Sequence, residues 1–212
     1  MRLDKEDLLL YGVTDRTWVG EKSLIEQIEE SLEGGVTCIQ IREKELNDSE
    51  FKKEAMEIKE LVDKYKVPLI INDSVQIAIE IGATGVHIGQ QDMDIEDARA
   101  LIGSGMVLGV STSTVEEAIE AEKKGADYLG VGAVFTTFTK NNASSVSKQL
   151  LKQICDAVSI PVVAIGGITE SNMHVLEGSG IVGVAIVSAI YGQKNIEVAV
   201  KRLKDKAYRV IK

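Results

Sequence analysis

The sequence predicts an α/β protein folded as a single (β/α)8 barrel, and three observations lead there. Eight short β-branched runs recur along the chain, each followed by a longer stretch with apolar residues at helical spacing. Glycine stands where those stretches give way to the next run, at Gly34–Gly35, Gly82, Gly125 and Gly178–Gly180, as expected of a residue that tolerates the left-handed turn ending a helix. The segments GGVTCIQI, IGATGVHIG, KGADYLGVG and GSGIVGVAI also repeat one unit of helix end, glycine and strand.

Taken in order, the predicted strands are Leu8–Val13, Thr37–Arg42, Leu69–Asn72, Gly85–Ile88, Val107–Ser111, Tyr128–Gly132, Val162–Ile165 and Gly183–Val187. Their nearly continuous apolar character suits parallel strands covered by helices. The predicted helices are Ser23–Gly34, Asp48–Tyr65, Val75–Ile81, Ile95–Ile102, Val115–Lys124, Lys148–Val158, Ser171–Glu177 and Asn195–Val210. In the last, Ile196, Ala199, Val200, Leu203, Ala207 and Val210 recur at three- and four-residue intervals and leave one face for the barrel. Eight such units without a break in composition favour one closed TIM-barrel domain spanning residues 1–212. An open, flavodoxin-like doubly wound sheet needs only about five strands and would leave the remaining segments without a place.

Asp and Glu number 33 against 24 Lys and Arg, a formal net charge of −9. Such a surface disfavours nucleic acid and anionic membranes as partners. If the ligands are anions, positive charge must be concentrated in the site. The two cysteines, Cys38 and Cys155, match no metal spacing or redox pair. Each is expected in the packed interior, a usage that suits a reducing, cytoplasmic location. The N-terminal MRLDKEDLLLYGV has too short an apolar run for a signal peptide, and no stretch approaches the ~20 apolar residues of a membrane helix. The composition leaves the oligomeric state open.

In a βα barrel, chemistry collects where the strands' C-terminal ends meet the following loops. The second strand ends in Gln40-Ile41-Arg42-Glu43-Lys44, and strand alternation puts residues 40, 42 and 44 on one side. An amide, a guanidinium and an ammonium converging at a barrel mouth form an anion clamp; the alternative is a solvated strand end. The third strand ends in Asn72-Asp73, either a turn or half of a site. The fourth leads through His87 to Asp92, and carboxylates on neighbouring loops suit a hard cation such as Mg²⁺. His87 is expected to pack or hydrogen-bond inside the barrel, and His174 to lie on the surface. Ser111, ending the fifth strand, is read either as a ligand contact or as a helix cap. The loop Ala133-Val134-Phe135-Thr136-Thr137-Phe138-Thr139-Lys140 is rich in hydroxyls and ends in a cation. Strands seven and eight lead into Gly166-Gly167 and Val187-Ser188, the usual position of a phosphate site in such barrels.

In identity, order and spacing, QIREK, IINDS, GVHIGQQD, GVST, TTFTK and AIGGIT resemble the thiamine-phosphate synthases, from about Tyr11 to Ile190. The resemblance implies an enzyme that joins a pyrimidine pyrophosphate to a thiazole phosphate and releases pyrophosphate. It implies that Gln40, Arg42, Lys44, Asn72, Ser111 and Lys140 contact the pyrimidine pyrophosphate, and Ile41 and Glu43 in the same run are expected to be substrate-binding as well. Asp73 and Asp92 would hold Mg²⁺. Thr137, Thr139, Gly167, Val187 and Ser188 would contact the thiazole phosphate, and Phe138, between the two threonines, is expected to be substrate-binding as well. Arg42, Lys44, Ser111 and Lys140 are the residues expected to carry catalysis. The chain departs from the family at Ala133 and Thr136, where proline is usual or frequent, and in NNASSVSKQ after Lys140, which lacks the usual charged and glycine pattern. Two other readings are a tautomerase-like relative acting on a thiazole phosphate and a noncatalytic phosphate-binding barrel; neither needs the paired carboxylates.

Overall fold

The computed structural model describes residues 3–136 and 146–212. Eight parallel strands close into a barrel in sequence order: β1 (Leu10–Val13), β2 (Cys38–Ile41), β3 (Leu69–Asn72), β4 (Gly85–Ile88), β5 (Val107–Thr112), β6 (Tyr128–Gly132), β7 (Val162–Ile165) and β8 (Gly183–Ile186). Outside them run α1 (Leu24–Gly34), α2 (Asp48–Tyr65), α3 (Val75–Ile81), α4 (Ile95–Ile102), α5 (Val115–Lys123), α6 (Lys148–Ala157), the single turn α7 (Ser188–Tyr191) and α8 (Ile196–Ile211). The eight-unit barrel read from the sequence is the observed fold.

Alternation along each strand separates two cores. Inward-facing Tyr11, Val13, Cys38, Ile70, Val107, Tyr128, Val163 and Ala185 fill the barrel. Outward-facing Leu10, Ile39, Ile41, Ile71, Val110 and Val131 pack beneath the helices. α8 closes the ring against α1, at a point where only glycine fits: a Cβ on Gly34 would lie 2.6 Å from Val200 Cβ.

The differences from expectation have local causes. Thr37 stands just before β2, where its hydroxyl accepts from Leu10 N at 2.8 Å and donates to Leu10 O at 3.0 Å. The predicted helix Ser171–Glu177 is a 3-10 turn, Met173–Leu176. Its buried residues, Met173 and Leu176, are three apart and so share one side of a three-residue turn. Asn172 Oδ1 accepts from Thr169 N at 2.8 Å and fixes the entry; Gly178, at φ 73°, follows the exit. Arg16–Trp18 forms a further 3-10 turn that the hydrophobic pattern does not signal. Cys38 is buried as expected, whereas Cys155 on α6 is only partly covered. His174 is exposed. No described helix is long and apolar enough to cross a membrane.

Candidate active site

A cavity of about 600 Å³ opens at the C-terminal ends of the strands. Gln40, Arg42, Lys44, Asn72, Asp73, Asp92, Ser111, Gly167, Val187 and Ser188 all line it. Thr137, Phe138, Thr139 and Lys140 lie outside the described residues. Ile41 and Glu43, expected among the substrate contacts, are instead turned away from the cavity, as the pleat requires. Ile41 is buried under the helices, and Glu43 pairs with Arg16 and accepts from the amides of Lys44, Glu45 and Leu46. Their side chains secure the loop that carries the clamp.

The two cations of the clamp are each held by a carboxylate. Arg42 donates through Nη1 to Asp15 Oδ2 at 3.3 Å, and its backbone amide donates to Thr14 Oγ1 at 3.0 Å. Asp15 is largely buried and also caps the Arg16–Trp18 turn, so the β1 loop supports the guanidinium from behind. Lys44 pairs with Asp73 across the ends of β2 and β3. Asp73 adopts a left-handed backbone (φ 63°), a conformation that aspartate and asparagine tolerate better than most residues. A bond from Asp73 N to His87 O at 2.8 Å pins it there.

Asp92 Oδ2 accepts from Gly89 N at 2.7 Å. Burial raises the pKa of the Asp92 carboxyl, and the adjacent Asp73 carboxyl, within hydrogen-bonding reach, raises it further. Two hard oxygen donors are thus pressed together in a site that disfavours their both being charged. Among the described residues the cavity wall carries Arg42 and Lys44 against Asp73, Asp92 and Glu117. A multiply charged anion meets a wall with an excess of carboxylates, and a cation between Asp73 and Asp92 reverses that balance. The donor set therefore fits a hard divalent ion that takes few protein ligands. No group of three or more His, Cys, Asp or Glu able to hold a metal occurs among the described residues.

The other end of the cavity is built from backbone. Gly166 and Gly167 have φ of 103° and 63°, and the turn packs against the segment following β6: Phe135 N donates to Gly166 O at 3.1 Å. A Cβ on Gly167 would lie 2.5 Å from Thr136 O. Asn172 Nδ2 donates to Gly167 O at 2.8 Å and braces the turn from the far side. Val187 and Ser188 at the start of α7 complete this end.

The floor between the two ends is polar. Gln40 Nε2 donates to Tyr11 OH at 2.7 Å, and the Tyr11 and Tyr128 hydroxyls are 2.9 Å apart. Tyr128 OH lies 3.0 Å from His87 Nδ1, and His87 Nε2 lies 2.9 Å from Ser111 Oγ. His87 thus hydrogen-bonds inside the barrel. Ser111 does not cap α5, since Thr114 does so by accepting from Glu117 N. Sequence reasoning missed Asp15, Asn172, Tyr11 and Tyr128. The signal available for the tyrosines was their inward register on strands one and six, where a phenol's polar tip needs a partner.

The family model for thiamine monophosphate synthase matches residues 10–190. A thiamine-phosphate synthase of Ruminiclostridium cellulolyticum is 48% identical over 201 residues, covering 95% of this chain and 96% of that protein. One from Methanobrevibacter smithii is 49% identical over 197 residues, covering 93% and 94%. The solved thiamine phosphate pyrophosphorylase of Pyrococcus furiosus superposes with a TM-score of 0.90 at 36% identity, over 98% of this chain and 99% of that one. With its closed barrel and the cavity at the strand ends, the chain belongs to the thiamine monophosphate synthase family of enzymes.

Proposed function

We propose that the enzyme condenses 4-amino-2-methyl-5-(diphosphooxymethyl)pyrimidine with 4-methyl-5-(2-phosphooxyethyl)thiazole, giving thiamine phosphate and pyrophosphate with Mg²⁺ held by Asp73 and Asp92. The observation that carries this reading is the two-ended cavity. Paired carboxylates stand beside Arg42 and Lys44 at one end. The glycine turn and Ser188 line the other. A tautomerase or a noncatalytic phosphate-binding barrel has use for the second end alone. Two free cysteines suit an enzyme of the reducing cytoplasm.

The diphosphate end binds at Arg42 and Lys44, whose charges favour the negative charge that develops as the methylene C–O bond breaks. Bound Mg²⁺ would supply further neutralisation of the leaving oxygen. The aminopyrimidine delocalises the methylene cation, so the displacement is dissociative. Gln40, Asn72 and Ser111 hold the ring while the cradle at Gly167 and Ser188 presents the thiazole. The thiazole nitrogen already has its lone pair when it attacks the methylene carbon, so no general base or covalent nucleophile is required. The chain's contribution is orientation and preorganised charge. Lys140, outside the described residues, is proposed to join Arg42 and Lys44 on the diphosphate.

The test mixes purified protein, Mg²⁺ and both substrates, and follows thiamine phosphate by mass spectrometry and pyrophosphate by ³¹P NMR. Both products should appear in equal amounts and disappear with chelator. Absence of product at saturating substrates overturns the assignment; product that survives chelation overturns the metal.

A further inference from the structure

The hydrogen-bonded floor of the barrel has a direction. Gln40 donates an amide hydrogen to the Tyr11 hydroxyl oxygen, so the proton of Tyr11 must be given elsewhere. Its partners there are the Tyr128 hydroxyl at 2.9 Å and the thiol of Cys38. A thiol is a weak acceptor, so the proton goes to Tyr128. Tyr128, accepting from Tyr11, then donates its own proton to His87 Nδ1. With Nδ1 an acceptor, the ring proton is on Nε2, which lies 2.9 Å from Ser111 Oγ and donates to it. Ser111 accepts that bond, and its own hydroxyl proton is left to point into the cavity it lines. Both phenols are fully buried, and that burial raises their pKa well above the usual value, so they remain proton donors at working pH.

The packing leaves the relay little freedom. On the neighbouring strand a Cβ at Gly109 would lie 2.3 Å from Tyr128 Cζ and 2.4 Å from His87 Nδ1. One at Gly130 would lie 3.0 Å from His87 Cε1. Both glycines keep the space in which the imidazole meets the phenol.

We propose that Tyr11, Tyr128 and His87 are positioning residues that transmit the orientation of the Gln40 amide across the barrel and make Ser111 a hydrogen-bond donor. The cavity then offers an acceptor on one side, the Gln40 carbonyl oxygen, and a donor on the other, the Ser111 hydroxyl. That polarity selects a ring carrying an amino group beside an acceptor nitrogen, and it rejects the isomer in which the two are exchanged. The inference deepens the proposed function and rests on it for the identity of the ring. Its central element, the His87 tautomer, is a property of the ligand-free protein.

The tautomer is read by long-range ¹H–¹⁵N spectra of protein labelled with ¹⁵N-histidine. The chain has two histidines, and His174→Gln identifies their signals. In the wild type, Nε2 of His87 should be protonated and Nδ1 should be an acceptor. Gln40→Glu replaces the donor with a carboxylate that accepts from Tyr11, which reverses every bond and moves the His87 proton to Nδ1. In Gln40→Glu combined with Tyr128→Phe, that switch should no longer occur. An Nδ1–H tautomer in the wild type, or a tautomer unchanged in folded Gln40→Glu, overturns the relay. If Gln40→Glu does not fold, Tyr128→Phe carries the test. Its kcat/KM for the pyrimidine substrate should fall about tenfold, the worth of one hydrogen bond, with KM for the thiazole phosphate unchanged. Equal loss toward both substrates overturns the relay. A wild-type Nε2–H tautomer in a protein that makes no thiamine phosphate would leave the relay standing and remove the substrate assignment.

Discussion

Lys44 and Asp73 form an ion pair across the ends of β2 and β3, and Asp73 holds it from a left-handed backbone conformation. One aspartate therefore serves two ends: it fixes the ammonium of the clamp and faces Asp92 as half of the carboxylate pair.

Asp73→Asn and Asp92→Asn should both lose Mg²⁺-dependent turnover while folding normally. Asparagine tolerates the backbone of Asp73, and its amide oxygen can still accept from Gly89 N at position 92. Asp73→Ala should in addition lose about 1–2 kcal/mol of stability, because alanine does not favour the left-handed region. Activity against Mg²⁺ concentration, with thermal melts alongside, separates the two effects. Undiminished activity of both asparagine variants at limiting Mg²⁺ removes the metal assignment.

Arg42→Lys should cost about 2–4 kcal/mol of transition-state stabilisation. A guanidinium can bond Asp15 and a phosphate oxygen together, which a lysine ammonium at the same place does poorly. Asp15→Asn should be milder, and the double variant less than additive, since both act on one group. Steady-state kinetics within twofold of wild type for Arg42→Lys would make it a strand-end charge.

Ser188→Asp should weaken thiazole-phosphate binding and spare the pyrimidine pyrophosphate. The new carboxylate would repel the monophosphate at the glycine end and lie away from the Arg42–Lys44 end. Calorimetric titration with each substrate, Mg²⁺ present, decides this. Equal loss of both affinities would contradict the two-ended cavity.

The cysteines should be slow to react in the folded protein. Burial pushes the Cys155 thiol up to about 11, with Asp156 adding to the effect, and raises Cys38 well above the usual thiol value. At pH 8 both are thiols, and the thiolate is the reactive form. The sign for stability follows: a thiol raised in the fold stabilises it fully below the unfolded pKa and loses that contribution as pH climbs, for Cys155 through about 11. Labelling by a disulfide reagent should be many times faster in denaturant; equal rates would contradict the burial.

Much of this architecture was legible because strand alternation is a rule of the backbone. It placed residues 40, 42 and 44 on one wall; applied to Ile41 and Glu43 it would have excluded them from the substrate contacts expected of the whole run. Glycine likewise announced the turn at Gly166–Gly167. Long-range pairings left no such mark. Asp15 stands 27 residues from Arg42, and nothing local distinguishes it from a surface acid in TDRT. Tyr11 and Tyr128 are separated by 117 positions and meet only because the barrel closes. The helix expected at Ser171–Glu177 failed for a different, local reason: side-chain bonds from Asn172 to the preceding turn compete with helix formation.

Among the described residues the cavity wall carries more carboxylates than cations, and that imbalance bears on the order of events under the proposed function. The factor by which a divalent ion tightens diphosphate binding must equal the factor by which diphosphate tightens the ion. On that reading the site would act as a coincidence detector, favouring the two arriving as one neutralised unit over either alone.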